Sequence, residues 1–315
     1  MNVGLTILYE DLCPEWVTLC REAGIDSLCV HKLARPGEDS LSVLLSELDA
    51  PGGRDVIEAL AENGIDAPYE LHALDHLLPR GLFNKHPTWF RMNDRRERTA
   101  YLNLCCSSKG ALDELSENTY TLAKRLRQPS SRYHLWLDDA VGGSCRCPEC
   151  MKRNSSDQYL VILSAMLKGL RAYDAKAEIS FLSYGTVLDV PTVKPEEGIF
   201  LEFAPMDRDH NLPMNAPGHS QGEGYIRLMG ELLKIFDAEK SEVLEYWLDD
   251  ALYSGYKRPP VKVPFSEAVC EADAKLYRDA GFGCIRSFGS FMGKDYFDLF
   301  GEPPVKRYAE IARGN

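Results

Sequence analysis

Three cysteines stand within six residues in Cys145-Arg146-Cys147-Pro148-Glu149-Cys150, and two more, Cys105 and Cys106, are adjacent in an earlier polar stretch. Turn-rich surroundings set these five apart from Cys13, Cys20, Cys29, Cys270 and Cys284. Those lie in apolar helix or strand patterns, where free Cys behaves as a small buried hydrophobe. Thiolates at the Cys145, Cys147, Cys150 spacing, with Pro148 stiffening the turn, suit a structural zinc ion. Structural zinc takes four ligands, so the fourth must come from elsewhere, and Cys105 or Cys106 is the expected donor. The competing reading is a metal-free turn with reduced thiols. An all-sulfur site is normally closed, so no catalytic role is expected of this metal.

A second kind of chemistry is written in carboxyls and aromatics. The phrases YHLWLDDAVGG and LEYWLDDALYS each run a β-like stretch into paired aspartates: Asp138 and Asp139 in the first, Asp249 and Asp250 in the second. The second phrase also carries Glu245, Tyr246 and Trp247. Glu70, His72, Tyr184, Glu202, Arg208, His210 and Arg286 occupy comparable positions in or just after other β-like runs. Carboxyl pairs perform the acid/base or nucleophilic steps of glycoside cleavage, and aromatic faces stack on sugar rings. The expected assignment is Asp139 as general acid, Asp138 orienting it, and Glu245 as opposing base or nucleophile. Tyr184, Glu202, Arg208, Tyr246, Trp247, His72 and Arg286 are expected to bind substrate. Arg208 would take an anionic group, because a guanidinium fork matches a carboxylate in two parallel hydrogen bonds. A uronic acid is therefore among the candidate sugars.

Plainer roles compete. An Asp just past a strand also serves as the N-cap of the next helix, which applies to Asp139, Asp249 and Asp250. Trp247 fits barrel packing as well as a sugar platform, and His31 and His134 read as hydrogen-bonded core histidines. Two other functions fit the same residues. A metal-dependent sugar isomerase or epimerase would draw ligands from Glu70, His72, Glu202, His210 and Glu245. A non-catalytic carbohydrate-binding barrel would need none of the carboxyls for chemistry.

These residues need a frame that brings them together, and the chain supplies one. Eight β-rich runs are predicted, at 3–9, 25–31, 65–72, 133–137, 178–184, 199–203, 242–248 and 284–288. Helices at 14–23, 54–63, 112–126, 158–173, 225–236 and 267–280 fall between most of them, which is the pattern of parallel βα units. REAGIDSLCVH and AENGIDAPYELH repeat one device, a helix stopped by glycine and then Ile-Asp leading into a strand. Eight such strands predict a (β/α)8 barrel, in one domain over 1–315, with a long polar loop at 77–109 after the third strand. No Gly-rich phosphate fingerprint follows the first strand, which argues against a doubly wound nucleotide-binding sheet. In that barrel the candidate residues gather at the carboxyl ends of the strands.

The 315 residues include 48 acidic and 36 basic side chains, a formal charge of −12. That balance argues against a nucleic-acid or anionic-membrane partner, which would demand a concentrated basic surface. No apolar run approaches the ~20 residues that a bilayer span needs. Met1 to Glu10 lacks the basic and apolar pattern of a secretory leader, so a cytoplasmic location and a small-molecule or oligosaccharide partner are expected.

One resemblance runs through the middle of the chain. NKHPTWFRM, LNLCCSS, CRCPEC, SSDQYLVILSAML, ISFLSYGTVLDVP and LEFAPMDRDHNLPM follow one another between Asn84 and Met214. The order His86-Pro87-Thr88-Trp89-Phe90, Leu104-Cys105, Cys145 to Cys150, then Ser156 to Leu160 resembles the family called domain of unknown function 4838, related to α-glucuronidase-type glycosidase barrels. The resemblance implies a glycosidase-like barrel and a sugar substrate. An Asp-Glu pair that some related hexosaminidase barrels carry after strand four stands here as Asp138-Asp139.

Overall fold

A computed structural model describes residues 1–33, 39–139, 142–185 and 187–315. Ala140 of the WLDDA phrase and Thr186 of the ISFLSYGTVLDVP segment lie outside them. The strands are β1 (Asn2–Leu8), β2 (Ser27–His31), β3 (Tyr69–His72), β4 (Arg132–Trp136), β5 (Glu178–Ser183), β6 (Ile199–Phe203), β7 (Glu242–Glu245) and β8 (Cys284–Phe288). All pair in parallel with their sequence neighbours, and β8 returns to β1 through registers such as Thr6↔Phe288, so the sheet closes into a barrel. The (β/α)8 fold expected from the strand–helix alternation is the fold observed.

Around the barrel run α1 (Pro14–Ala23), α2 (Ser40–Asp49), α3 (Asp55–Glu62), α4 (Leu74–Leu77), α5 (Lys109–Leu126), α6 (Ser155–Tyr173), α7 (Ser220–Leu232), α8 (Asp250–Tyr253), α9 (Glu267–Ala280), α10 (Lys294–Phe300) and α11 (Val305–Arg313). Local sequence explains their limits. Pro14 opens α1 where its missing N–H costs nothing, and Gly24 ends it at φ +65°. Gly64 repeats that left-handed turn after α3, and in both places the following isoleucine N–H bonds back to a helix carbonyl (Ile25 to Cys20, 2.8 Å; Ile65 to Leu60, 3.0 Å). The side chain of Asn154 caps α6 by accepting from the Asp157 N–H at 2.8 Å. No helix among the described residues is long and apolar enough to cross a membrane.

Strand alternation divides the side chains into two sets. Val3, Leu5, Ile7, Leu28, Val30, Leu135, Phe181, Leu201, Phe203, Val243 and Ile285 pack outward against the helices as the apolar core. The inward set is unusually polar at mid-barrel. Arg286 ion-pairs with Glu70 and reaches Glu242 at 2.9 Å, while Glu202 accepts from Trp136 at 2.8 Å and lies 3.2 Å from His134. Thr6 donates to Glu70 at 2.6 Å. Charges this deep need partners, and the three acids, one guanidinium and one histidine supply them to one another.

Candidate active site at the barrel mouth

Above that charged layer the lumen ends in rings. His31, His72, Trp136 and Phe288 end β2, β3, β4 and β8, Tyr184 and Tyr246 directly follow β5 and β7, and the six line a cavity of about 110 Å³. Tyr246 stacks on Phe288 with ring centroids 5.5 Å apart, and His72 meets Trp136 edge-on at 5.0 Å. The indole N–H of Trp136 is spent below, on Glu202, so the ring closes the floor between the mouth and the buried network.

Two carboxyls reach the same cavity from different strands. Asp139, three residues past β4, is exposed and accepts a hydrogen bond from the Tyr184 hydroxyl at 3.1 Å. Asp249, beyond β7, is only 5 % exposed and accepts from the Ala251 N–H at 3.2 Å as the N-cap of α8. Burial pushes the Asp249 carboxyl up to about 6, against the stabilising hydrogen bonds of Ser290 and Ala251. Tyr256 lines the cavity too and feels both carboxyls. His31 is buried and, chiefly through that burial and the adjacent His72, its pKa falls to about 4. It is therefore neutral near pH 7. Its Nδ1 sits 2.7 Å from the Glu70 carbonyl and must carry the proton, leaving Nε2 an acceptor.

Of the residues predicted from sequence, His72, Asp139, Tyr184 and Tyr246 meet at this mouth. Glu245 does not. It ends β7 facing away from the lumen and is fully buried behind the barrel wall, where Arg208 lies 3.0 Å from both its oxygens and Tyr277 donates to it. Period-2 alternation put Glu245 and Trp247 on one face, as expected, but that face is the outer one. Trp247 accordingly packs against Tyr277 and Tyr308 and offers no platform at the mouth. Arg208 shares this cluster: it also pairs with Asp273 of α9 at 2.8 Å and is buried, so it cannot receive a ligand's anionic group. Asp138 does not orient Asp139. It ion-pairs with Arg80 and accepts the Asn103 N–H at 2.5 Å, stapling the long loop to β4.

Glu202 and Arg286 face inward but lie beneath the Trp136 floor, committed to the mid-barrel ion pairs rather than to substrate. The isomerase ligand set is not assembled either. Glu70, His134 and Glu202 could surround an ion, their atoms lying within 4.8 Å of one another, but the Arg286 guanidinium already neutralises that space. His210 instead bonds the Met206 carbonyl at 2.8 Å. Sequence does not single out Trp136 or Phe288, and it offers Asp249 at the end of the seventh strand beside the helix-cap role, without assigning it a catalytic part. Counting in steps of two along the inward faces from His134 and from Arg286 reaches Trp136 and Phe288; the turn that swings Asp249 back over the mouth leaves no such signal.

The cavity lies at the carboxyl ends of the strands, the face on which (β/α)8 barrel enzymes carry their active sites. The chain belongs to the family described as domain of unknown function (DUF4838), whose model matches residues 55–246. No curated protein matches it in sequence. Among solved structures it is similar to the cellulose synthase subunit Z of Clostridioides difficile, with 10% identity, 99% of each chain covered and a TM-score of 0.54. It is also similar to a glycoside hydrolase family 5 enzyme of Prevotella bryantii crystallised with a xyloglucan tetradecasaccharide (12% identity, 97% and 87% covered, TM-score 0.55). A family 5 xyloglucanase of Bacteroides ovatus in complex with a heptasaccharide gives 14%, 99% and 74%, and 0.56. At these identities the likeness is one of fold.

Proposed function

We propose that the protein is a glycoside hydrolase acting on an oligosaccharide, with Asp249 as general acid and Asp139 as the opposing base or nucleophile. The observation that carries this reading is the pair of carboxyls, one buried and one exposed, reaching a single aromatic cavity from the ends of β4 and β7. Environments that differ in this way divide acid from base between two carboxyls. Asp249, raised to about 6, retains a proton within reach of neutral pH and can deliver it to the glycosidic oxygen. Asp139 faces solvent and holds the Tyr184 hydroxyl, which suits activation of water or attack on the anomeric carbon. Tyr246, Phe288 and Trp136 supply apolar faces for the sugar's C–H surfaces, and neutral His31 can accept from a sugar hydroxyl. The carbohydrates bound by proteins of similar fold support the same substrate class.

The test is a panel of aryl glycosides, uronides included, and plant-type oligosaccharides, followed by product analysis. The wild type is expected to cleave at least one member. Asp249→Asn and Asp139→Asn should each lower turnover by ~10²–10⁴-fold with the fold intact. Binding without cleavage across the panel, unchanged in both variants, would make this a carbohydrate-binding barrel instead.

A further inference from the structure

We propose that Cys105, Cys145, Cys147 and Cys150 hold a single zinc ion that fastens the long connection between β3 and α5 to the loop between β4 and α6. The four sulfurs come from two segments 40 residues apart in sequence, and all lie within 4.8 Å of one another in buried positions. Cys105 Sγ stands 3.7 Å from Cys147 Sγ and 3.7 Å from Cys150 Sγ. A Zn–S bond of ~2.3 Å makes the edge of a tetrahedral sulfur cage ~3.8 Å. Disulfide sulfurs would be ~2.05 Å apart. The cage thus has the size of one four-coordinate ion. Cys106, the other donor suggested by sequence, lies 3.3 Å from Cys150 but outside the set of four that close on one point.

The surroundings are those of thiolates rather than packed thiols. The Met92 N–H donates to Cys145 Sγ at 3.3 Å, and the Arg98 guanidinium approaches the same sulfur at 3.9 Å, a cation beside a site that would carry excess negative charge. Ser107 Oγ lies 3.2 Å from Cys150 Sγ. Gln158, at the start of α6, holds the backbone of the cysteine turn from both sides: it accepts from the Cys145 N–H at 2.9 Å and donates to the Cys150 carbonyl at 3.1 Å. A backbone bond from Arg146 N–H to the Met92 carbonyl (2.8 Å) joins the two segments, and another from Cys105 N–H to the Trp89 carbonyl (2.8 Å) closes the first segment on itself. Two residues before Cys105, Asn103 bonds Asp138, the neighbour of Asp139. The metal would therefore set the rim of the mouth. That consequence rests on the glycosidase reading, whereas the metal site does not.

Elemental analysis of protein purified without chelator is expected to give one zinc per chain, released in full by a thiol-blocking mercurial. Cobalt supplied to the reduced apoprotein should show the ligand-field and sulfur-to-metal charge-transfer bands of a tetrahedral thiolate site. Cys105→Ser and Cys147→Ser should lose most of the zinc, while Cys106→Ser and Cys270→Ser keep it. If the serine variants fail to fold, the zinc content and cobalt spectrum of the wild type still decide. Absence of zinc with no cobalt uptake would overturn the site, as would iron in zinc's place or a disulfide among the four cysteines.

Discussion

Arg208 shows how far residue type carries an inference and where it stops. Its guanidinium fork does grip carboxylates, but they are the protein's own Glu245 and Asp273, sealed behind β7. Burial and the Glu245 charge push Asp273 up to about 6, whereas Arg208, which burial alone would push down, is held well above its ordinary value by Glu245, Tyr277 and Asp273. Removing one partner of such a cluster leaves the others charged and unpaired in low dielectric. Arg208→Met is therefore expected to cost about 3–5 kcal/mol, measured by denaturant unfolding. Wild-type stability with altered sugar binding would return Arg208 to the ligand. From sequence, a carboxylate inside a strand demanded a partner or a function, and the decision between them lay in which face of β7 looked inward. A shift of one residue reverses that choice, and the alternation runs on past the strand's end at Glu245, with Tyr246 at the mouth and Trp247 on the outer face.

At the scale of elements, the alternation of apolar runs and glycine-stopped helices was legible because it is local. β6, β8, α1 and α9 match their predicted limits to the residue. α2, α10, α11 and the one-turn α4 and α8 were not anticipated. α2 has Leu41, Leu44, Leu45 and Leu48 on its buried side and Asp39 as its cap, a helical spacing present in the sequence. Packing between helices was not legible at all. Gly169 of α6 lets that helix approach α5 so closely that a Cβ there would lie 2.2 Å from the Ser116 carbonyl oxygen. Gly169→Ala should therefore force the helices apart and destabilise by ~1–3 kcal/mol, in spite of alanine's better helix propensity. An increase in melting temperature would show that the close approach is not required.

The molecule as a whole places a charged layer inside its barrel and an aromatic mouth above it, and the two are joined by Trp136. Sequence identified Glu70 and Glu202 of the layer and Asp139 of the mouth, but not Glu242, and could not rank them by depth, since strand ends and mid-strand positions differ only in register. Within the layer, burial opposes ionisation of Glu242, but Arg286, His134 and Arg132 outweigh it and hold its pKa at about 2. A carboxyl held below its unfolded value stabilises above that value and loses the contribution as pH falls. The stability difference between wild type and Glu242→Gln should thus shrink by about 3 kcal/mol between pH 5 and pH 2, followed by chemical unfolding. A constant difference would mean that Glu242 is not ionised in the folded protein. The mouth makes the opposite demand, a carboxyl kept protonated. Once a cleaved glycoside is found, the pH dependence of its kcat/KM tests the division of labour between the two aspartates most directly. The wild type should lose activity as pH rises through about 6, where Asp249 gives up its proton, and that limb should vanish in the residual activity of Asp249→Asn. A limb near pH 6 that persists unchanged in the variant would contradict the assignment of Asp249 as the general acid.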